Sequence, residues 1–483
     1  MISTKHSNRL LTHPELITSD EVIPGITKAE FEIRRKKLMD SVPGSNDIVV
    51  LFSAPTYYMS PHVFYPFRQN SNFLYTTGFN EPSSAVVFEK SNTAGRGYVM
   101  TLFVRPKEPE FEVWDGPRSG IEKAVETFGA DQAFAISEFE GYMRKLLKRI
   151  KNSSSGSGDG DTSGQVYADI PEKSERLVKS ESSTLLDICK EYNMGPQLRS
   201  ASPLVQKLRL IKSEAEINLM REANKISARG FIGAMQKCRP GLNEQQLADT
   251  FESEFRKAAP SPNSNTGSGT ALTRWAYVPV VASGTHALVM HYVQNNRQIK
   301  PEELVLMDAG AEYCSYASDI TRTIPSNGKW TEAQKDLYSA VLSVQTECLK
   351  HCHASSGNSL NSLHKISSSL LQGALSRLGI EFSHRDFEMQ LYPHHLAHYI
   401  GLDVHDTPDM TRSQQLQPGM VVTIEPGVYI PIDDKYPKHF QGIGIRIEDN
   451  VVIGENRDDS ENLSLDTPKS VEAIQEVMSF PLD

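Results

Sequence analysis

The sequence is poor in cysteine, and its cysteines form no repeated spacing. Five occur among 483 residues, an odd number that argues against the paired framework of a small secreted domain. We therefore expect reduced thiols and an intracellular compartment. The cysteines are Cys189, Cys238, Cys314, Cys348 and Cys352.

Two of these cysteines lie in a short segment that also contains histidines. Cys348, His351, Cys352 and His353 are close enough in sequence to suggest a soft-metal site. The alternative, which we favour, is that the four side chains end a long amphipathic helix and face different directions.

Long apolar runs and an excess of positive charge are also missing. No run approaches the length of a membrane span, and Met1–Lys5 contain no apolar signal-peptide core. The formal net charge of −10 argues against a general nucleic-acid binder, because neutralising phosphates requires a basic face. We therefore expect neither nucleic acid nor a membrane among the partners.

Residues 1–14 carry Lys5 and Arg9 and no acidic residue. They fit either the tail of a basic transit peptide or, as the residues alone favour, a short polar terminus.

The apolar fraction of 39% is sufficient for more than one buried core. The clearest break is the Ser/Gly-rich stretch 152–164, which buries little apolar area and predicts a flexible insertion. Before it, apolar runs at Ile48–Phe52 and Ala85–Phe88 alternate with helical stretches such as Lys28–Met39, a pattern typical of an α/β domain. A further helix is expected at Leu185–Tyr192.

We place the domain boundary between residues 203 and 204. Residues 1–203 then form an N-terminal α/β domain, and residues 204–483 form a second domain with both helices and strands. The β-rich segments expected in this second domain are Val278–Val281, Leu304–Asp308, Asp319–Ile324, Val421–Glu425 and Gly444–Ile453.

Two capping boxes predict where long helices of the second domain begin. Ser213 with Glu216 marks the first start, and Thr331 with Gln334 marks the second. The first helix is expected to end near Lys237, and the second at the Cys348–His353 segment.

Two β-prone runs place Asp308 and Asp319 in a predicted hairpin. If the turn is centred between Tyr313 and Cys314, the two aspartates oppose each other, with Cβ atoms about 4.5–5.5 Å apart. Two carboxylates at that separation repel unless a cation lies between them. The alternative is that one aspartate only caps a turn. Asp308 ends an apolar run, where an unpaired carboxylate is costly, so we expect a shared cation.

A second carboxylate pair has the same character. Glu425 ends the apolar strand that begins at Val421, and Glu448 lies within an alternating segment, two residues after Arg446. A buried Arg446–Glu448 ion pair is the alternative explanation, but it leaves Glu425 unexplained.

Four of the fourteen histidines fall within twelve residues of one another: His394, His395, His398 and His405. A neutral imidazole is a good transition-metal ligand, and an unligated one transfers protons near neutral pH. Four carboxylates with one histidine make a mostly hard ligand set, which suits Mn²⁺ or Co²⁺, with Zn²⁺ and Fe²⁺ possible. Two such ions about 3.5–4 Å apart can ionise a shared water and polarise a carbonyl, the requirements for amide hydrolysis. The chain contains no Gly-x-Ser-x-Gly nucleophile elbow.

In order and local context, this ligand set resembles that of the pita-bread metallopeptidases, the family of methionine aminopeptidase, prolidase and aminopeptidase P. The five ligands are Asp308, Asp319, His398, Glu425 and Glu448. Upstream, Tyr65–Tyr75 and Gly78–Pro82 resemble the N-terminal domain of aminopeptidase P. Tyr57–Ser60, Trp114–Gly120 and His405–Met410 resemble the mitochondrial branch, which includes the intermediate-cleaving peptidase.

The resemblance implies an α+β pita-bread domain of the creatinase/aminopeptidase type at residues 204–483, with two divalent ions, Mn²⁺ first and Co²⁺ or Zn²⁺ as alternatives. It implies that Asp308 binds one ion, that His398 and Glu425 bind the other, and that Asp319 and Glu448 bridge them.

The resemblance also implies roles around the metals. Glu425 matches the general acid/base, and His291 and His405 match histidines that contact substrate and relay protons. His394, Tyr429 and Arg446 match residues that line the pocket beyond the scissile bond. Tyr277 and Arg412 match site residues less closely, and for His291 and Tyr277 ordinary strand packing stays an alternative.

The implied activity is removal of a single N-terminal residue from polypeptides. We favour maturation of imported mitochondrial proteins by a homodimer or homotetramer, with a cytoplasmic location as the alternative. Relatives often carry Gly or Ser where this chain has Leu396-Ala397, which predicts a reshaped pocket wall and a specificity broader than Xaa-Pro. A general Xaa-Pro aminopeptidase, a prolidase and a non-catalytic protein-binding module are the competing hypotheses.

Overall fold

The chain forms two compact units, one that ends at Arg209 and one that begins at Leu210. Residues 1–14, and residues 154–163 of the expected Ser/Gly insertion, lie outside the part of the chain that the structure describes. The computed structural model describes residues 17–153, 164–169, 180–260 and 272–482.

The first unit is built on a mixed sheet. Its strands are β1 Glu21–Ile23, β2 Ile26–Thr27, β3 Ile48–Phe52, β4 Tyr58–Ser60, β5 Val63–Phe64, β6 Ala85–Lys90, β7 Tyr98–Val104, β8 Gln132–Ala135, β9 Val166–Ala168 and β10 Leu198–Ser200. Six of them form one sheet in the order β10-β9-β3-β6-β7-β8. Strand β6 pairs antiparallel with β3 and with β7. The outer strands pair in parallel: β8 with β7, β9 with β3, and β10 with β9.

Helices connect and cover these strands. They are α1 Lys28–Ser41, α2 Ser71–Thr77, α3 Pro109–Asp115, α4 Gly120–Glu126, α5 Phe139–Ser153, α6 Glu181–Glu191 and α7 Ser202–Leu210. Val50, Val87 and Phe103 lie on one face of the sheet and share a buried apolar cluster with Leu147 of α5 and Ile188 of α6. This alternation of strands and covering helices confirms the predicted α/β class of the first unit.

The local predictions for this unit hold with small shifts at the ends of elements. Strand β3 has the expected bounds Ile48–Phe52, and the run Ala85–Phe88 continues to Lys90. Helix α6 begins earlier than expected because Ser180 caps it and accepts from the N–H of Ser183. The division at Arg209–Leu210 falls near the end of α7, later than the proposed boundary between residues 203 and 204.

The second unit contains several small antiparallel sheets. Its strands are β11 Thr273–Trp275, β12 Val280–Ser283, β13 Leu304–Ala309, β14 Ala311–Tyr313, β15 Tyr316–Ala317, β16 Ile320–Pro325, β17 Val421–Ile424, β18 Gly427–Tyr429, β19 Gly444–Arg446, β20 Asp449–Val452 and β21 Glu461–Asn462. They form the groups β12-β13-β16, β11-β14-β15, β17-β20-β21 and β18-β19.

Both predicted capping boxes of the second unit are confirmed. Ser213 accepts from the N–H of Glu216 at 3.2 Å, and Thr331 accepts from the N–H of Gln334 at 3.3 Å. The helices are α8 Glu214–Lys237, α9 Glu244–Ala258, α10 Glu332–Leu349, α11 Leu360–Arg377 and α12 Val471–Met478. Shorter helical turns occur at His384–Asp386 and Phe387–Leu391, and at Gly284–Leu288, Ala354–Ser356 and Arg457–Asp459.

The connection between β13 and β16 is a second hairpin. Tyr313 pairs with Tyr316 across a two-residue turn, Cys314–Ser315, whose φ angles are 50° and 74°. Positive φ at both turn residues is the type I′ geometry that matches the twist of paired strands. The hairpin is therefore centred between Cys314 and Ser315, one residue later than predicted.

The predicted pairing of Asp308 with Asp319 is wrong in register for this reason. Asp308 faces Thr321 in the β13–β16 ladder, and Asp319 lies just before β16. Because the error is two residues and strand side chains alternate with a period of two, Asp319 stays on the same face as Thr321. The inferred closeness of the two carboxylates survives the error.

The expected strand Gly444–Ile453 is interrupted. Strand β19 pairs with β18, whereas β20 pairs with β17 and β21, so the chain changes sheets at Ile447 and Glu448. Glu448 therefore lies in a break between strands.

The cysteine segment forms no metal site among the described residues. Cys348 and Cys352 are fully buried, while His351 lies near Glu347 at the surface. All five cysteines are free, as expected, and burial raises the pKa of Cys348 to about 12. Of the helices in the described ranges, none is long and apolar enough to cross a membrane.

Candidate metal centre and adjoining cavity

Asp308 and Asp319 are joined by the hydroxyl group of Tyr277. Tyr277 Oη lies 2.6 Å from Asp308 Oδ1 and 2.5 Å from Asp319 Oδ1. Burial and the two carboxylates raise the pKa of Tyr277 well above its usual value, so the hydroxyl keeps its proton and donates. Burial also raises the pKa of Asp308. Tyr277 lies in the connection between β11 and β12 and contacts the carboxylates directly.

His398 presents Nε2 to the carboxylates. Its Nδ1 lies 3.1 Å from the carbonyl oxygen of Tyr399, which can only accept, so Nδ1 carries the hydrogen. Nε2 lies 3.3 Å from Asp319 Oδ2 and 3.7 Å from Glu425 Oε1. Thr423 holds the residue in place: its N–H donates to His398 O at 3.0 Å, and its Oγ1 accepts from His398 N at 3.1 Å.

These contacts decide where protons are held. Burial lowers the pKa of His398, but the hydrogen bond to Asp319 and the charge of Glu425 outweigh it and raise the pKa to about 9. Burial raises the pKa of Asp319, and the same His398 contact outweighs it and lowers that pKa. Burial raises the pKa of Glu425 to about 7 against the opposing charges of His398 and Arg446. Without a metal ion, His398 therefore carries a proton on Nε2 and donates it to Asp319, a positive charge that a bound cation could replace.

Glu448 is buried with one carboxylate oxygen unused. Thr321 Oγ1 donates to Glu448 Oε2 at 2.7 Å, whereas Glu448 Oε1 has no hydrogen-bond partner in the described part of the chain. Burial, reinforced by Asp319 and Glu425, raises the pKa of Glu448 well above its usual value. One ligand atom from each of Asp319, His398 and Glu448 lies within 4.8 Å of the others.

Arg446 forms its ion pair with Asp308. Arg446 Nη2 contacts Asp308 Oδ2, and Arg446 Nε donates to Thr321 Oγ1 at 3.1 Å. Since Thr321 donates in turn to Glu448, its hydroxyl lies between the arginine and that glutamate. The alternative of a direct Arg446–Glu448 ion pair is therefore wrong: the described contacts place a threonine there and pair Arg446 with Asp308.

A chain of hydrogen bonds leads from Arg446 to His394. Arg446 Nη1 donates to Tyr429 Oη at 2.8 Å, and Tyr429 Oη lies 2.9 Å from His394 Nε2. His394 Nδ1 lies 3.0 Å from the carbonyl oxygen of His395, so Nδ1 donates and Nε2 accepts from the tyrosine. Burial and the charge of Arg446 lower the pKa of His394 to about 3, so this imidazole is neutral. Gly427 permits the approach, because a Cβ there would lie 2.7 Å from Tyr429 Oη.

A cavity of about 670 Å³ opens beside His398 and Glu425. The predicted site residues that line it are His291, His394, His398, His405, Arg412 and Glu425. The other predicted site residues belong to the buried cluster described above. The His405 ring lies 4.6 Å from the His398 ring in an edge-on arrangement, and burial lowers the pKa of His405.

Leu396 and Ala397, which stand where relatives often carry Gly or Ser, have different surroundings in the structure. Ala397 lines the cavity, whereas Leu396 is fully buried and its N–H donates to His364 Nδ1 at 3.2 Å. Only Ala397 is therefore placed to touch a substrate.

The side chains present fit a hard divalent cation. Glu448 Oε1 is buried without a partner among the described residues, and the bond from His398 Nδ1 to the Tyr399 carbonyl oxygen leaves Nε2 as the atom that can exchange its proton for a metal ion. Asp319, His398 and Glu448 form the central group, and Glu425 lies next to it. Asp308 lies at the edge, with its oxygens contacting Tyr277 and Arg446.

The sequence offered no signal for several supporting residues. Thr321 and Thr423 contact ligands through their hydroxyl groups, and isolated threonines in strands give no functional signal in a sequence. Glu244, at the start of α9, accepts from the Tyr292 hydroxyl at 2.8 Å and from the Arg297 N–H at 2.9 Å. It thereby holds the segment that carries His291, although it reads as an ordinary acidic residue in a first helical turn.

Known proteins resemble the chain along nearly its whole length. Residues 218–455 match metallopeptidase family M24, and residues 31–154 match the aminopeptidase P N-terminal domain. Xaa-Pro aminopeptidase 3 of Mus musculus is 39% identical over 482 residues, which cover 97% of this chain and 89% of that protein. Mitochondrial intermediate cleaving peptidase 55 of Arabidopsis thaliana is 36% identical over 468 residues, with 97% and 86% covered.

A solved structure agrees with these matches. The crystal structure of Icp55 from Saccharomyces cerevisiae superposes with a TM-score of 0.81 at 33% identity, covering 96% of this chain and all of that one. The predicted pita-bread catalytic domain is thereby confirmed, as is the predicted N-terminal domain of the aminopeptidase P type. The chain therefore belongs to metallopeptidase family M24 and is a metalloaminopeptidase of the aminopeptidase P group.

Proposed function

We propose that this enzyme binds two divalent cations, Mn²⁺ in the first instance, and removes single N-terminal residues from polypeptides that include imported mitochondrial proteins. The observation that carries the proposal is the convergence of His398 Nε2 and the unpartnered, buried Glu448 Oε1 next to a cavity. One ligand atom from each of Asp319, His398 and Glu448 lies within 4.8 Å of the others, close enough for a single hard cation to contact all three.

In this proposal the five predicted ligands divide by position. Asp319 and Glu448 would contact both ions, His398 and Glu425 would hold one of them, and Asp308 would hold the other. When bound, the ions lower the pKa of water and polarise a carbonyl group. To hold a metal ion, Asp308 would give up part of its contacts with Tyr277 and Arg446.

The remaining side chains orient the substrate and move protons. Glu425 lines the cavity beside His398, where its carboxylate can accept a proton and return it to the leaving amine. His291 and His405 lie on the cavity wall and contact the peptide. The neutral His394, held by Tyr429 and by the carbonyl oxygen of His395, lies beside Glu425, whose Oε2 is 3.8 Å from His394 Nδ1.

A mitochondrial location is supported by the Arabidopsis relative, whose name includes that compartment. Self-association as a homodimer is supported by exposed apolar side chains of the first unit. Trp114 and Val113 of α3 are 84% and 80% exposed, and Tyr58 and Phe64 of the β4–β5 hairpin are about half exposed. Exposed apolar patches on a protein surface commonly mark protein–protein contacts.

The proposal is tested by peptide cleavage with and without metal. The full-length protein is depleted with a chelator, reloaded with Mn²⁺, Co²⁺ or Zn²⁺, and given Xaa-Pro dipeptides and longer peptides that begin with Tyr, Leu or Xaa-Pro. We expect release of one residue from the longer peptides, loss of activity on chelation and recovery with Mn²⁺. Activity that persists without metal would contradict the metal assignment.

A second candidate is a general Xaa-Pro aminopeptidase, favoured by the similarity to Xaa-Pro aminopeptidase 3. The same peptide panel separates the two, because that enzyme requires proline in the second position. Release from Xaa-Pro dipeptides alone would instead indicate a prolidase.

A further inference from the structure

A buried ion pair lies at the cavity wall, outside the set of predicted site residues. Lys212 Nζ lies 3.0 Å from Asp406 Oδ2, and both side chains are only 1% exposed. Desolvating two charges costs about as much as their attraction returns, so an apolar pair would stabilise such a site equally well. The pair is therefore better explained by the geometry that it imposes than by the stability that it adds.

Lys212 is anchored at a rigid point. Its backbone N–H donates to the carbonyl oxygen of Gly419 at 2.8 Å, and it directly precedes Ser213, the N-cap of α8. The Ser213–Glu216 capping box fixes that helix start, and Glu216 also accepts from the Tyr316 hydroxyl at 2.8 Å. The lysine thus joins a helix terminus to the segment that carries Asp406.

Asp406 belongs to a segment without regular structure, residues 401–410, which we call the 401–410 loop. The loop supplies His405, Asp406 and Thr407 to the cavity wall. Outside strands and helices, few backbone hydrogen bonds hold a segment, so side-chain contacts decide its position. The N–H of Asp406 donates to Tyr399 O at 2.8 Å, close to ligand His398.

Two backbone features show how tightly the loop wraps around the ion pair. A Cβ at Gly401 would lie 2.6 Å from Asp406 Oδ2 and 2.8 Å from Lys212 Cε, so only glycine fits there. Thr407 is β-branched and has a φ of 49°, a conformation that persists only when its surroundings enforce it. Thr407 Oγ1 is also buried without a hydrogen-bond partner among the described residues.

We infer that Lys212 is a positioning residue for peptide hydrolysis: through Asp406 it holds the 401–410 loop so that His405 and Thr407 face the cavity beside His398. This inference rests on the proposed function, in which His405 contacts the substrate. It assigns no metal-binding role to Lys212, which donates to Asp406 and not to a ligand.

The test is a double-mutant cycle in the metal-loaded, full-length enzyme. Lys212→Met should lower kcat/KM for a longer peptide roughly 10- to 100-fold, the range expected when a reacting group is displaced by about 1 Å. The bound metal content should stay at the wild-type value. In a His405→Ala background, Lys212→Met should have little further effect, because the two residues act as one unit.

Asp406→Asn is the second variant, because it removes the charge of the side chain and keeps its size. It tests the same ion pair if Lys212→Met does not fold. Leu375→Ala, in the buried face of α11, is the control for a general loss of stability and should leave kcat/KM within about twofold. Three outcomes would each overturn the inference. They are an equal effect of Lys212→Met with and without His405, a loss of bound metal, and wild-type activity in both Lys212→Met and Asp406→Asn. A wild-type enzyme that cleaves no peptide would instead refute the proposed function.

Discussion

Two histidines four residues apart in the same buried segment have opposite electrostatic surroundings. His398 faces Asp319 and Glu425, which raise its pKa to about 9, whereas burial and Arg446 lower the pKa of His394 to about 3. Burial is the largest single effect at both residues, and it is outweighed only at His398, where Asp319 accepts a hydrogen bond and Glu425 adds its charge. We call these surroundings the carboxylate half and the arginine half of the site. The carboxylate half needs a cation to balance its charge. The arginine half supplies neutral hydrogen-bonding groups, the His394 imidazole and the Tyr429 hydroxyl.

Removing His398 should break the carboxylate half and have the largest effect. We expect His398→Ala to lower kcat/KM at least about 1,000-fold, because it removes a cation ligand and leaves carboxylates that repel. Activity and metal content are measured together. His351→Ala, at the end of α10 and outside the site, is the matched control and should behave as wild type.

Within the carboxylate half, Glu425→Gln should separate the two roles proposed for Glu425, metal binding and proton transfer. The amide keeps the shape of the side chain but cannot accept a proton, so hydrolysis should fall about 100- to 10,000-fold and one metal should bind more weakly, while the fold survives. Isothermal titration with Mn²⁺ measures the metal binding, and circular dichroism tests whether the fold survives. Turnover at the wild-type rate would remove Glu425 from its proposed role.

Tyr429→Phe should break the arginine half with a smaller loss. The change removes the hydroxyl that links Arg446 to His394 and leaves both without one partner. We expect about a tenfold fall in kcat/KM with unchanged metal content, since the loss of one buried hydrogen bond costs about 1–3 kcal/mol. A loss of metal would mean that the two halves are not separable.

The metal-free protein should report the carboxylate half through its pH dependence. The folded pKa of His398 lies above its unfolded value, so the stability from its proton is complete below about pH 6.5 and lost as the pH rises through about 9. We expect the free energy of unfolding to fall by about 3 kcal/mol over that range. Bound Mn²⁺ should reduce the fall, because the cation replaces the proton. His398→Ala without metal should lack this slope.

Ala397→Gly is expected to give the smallest effect. Ala397 lines the cavity beside His398, so the loss of its methyl group should change the preference among N-terminal residues by less than about tenfold. The ratio of kcat/KM for Tyr-first and Xaa-Pro peptides measures it. Leu396→Val is the matched control, because Leu396 does not line the cavity. An equal change in both variants would show that the effect is one of packing.

Elements with strong local signals were predictable from the sequence. Strand β3 is a continuous apolar run, and the helix starts at Ser213 and Thr331 carry complete capping boxes. The register of the Asp308 hairpin was not predictable, because Cys314 and Ser315 lack the Asn-Gly signature of a type I′ turn. The break at Glu448 depends on which sheet each flanking strand joins, and pairing between distant strands leaves no local trace.

The candidate site shows the same limit. Its ionisable residues were visible as carboxylates that end apolar runs and as a histidine cluster. Their partners were not: Arg446 could pair with Glu448 two residues away, and only the fold places Asp308 within its reach. Supporting residues such as Thr321 and Lys212 act on partners more than 100 positions distant in the chain, so neither spacing nor composition reveals them.

The hairpin between the two aspartates also constrains how this enzyme can vary during evolution. Its tip at Cys314–Ser315 can gain or lose residues in matched pairs, one in each arm, without rotating Asp308 or Asp319 away from the cation. An insertion of odd length must be absorbed as a bulge, or it turns one ligand toward the opposite face. Length changes that survive selection at this tip should therefore be even in number, and a library of tip insertions sorted by retained metal content would show that parity directly.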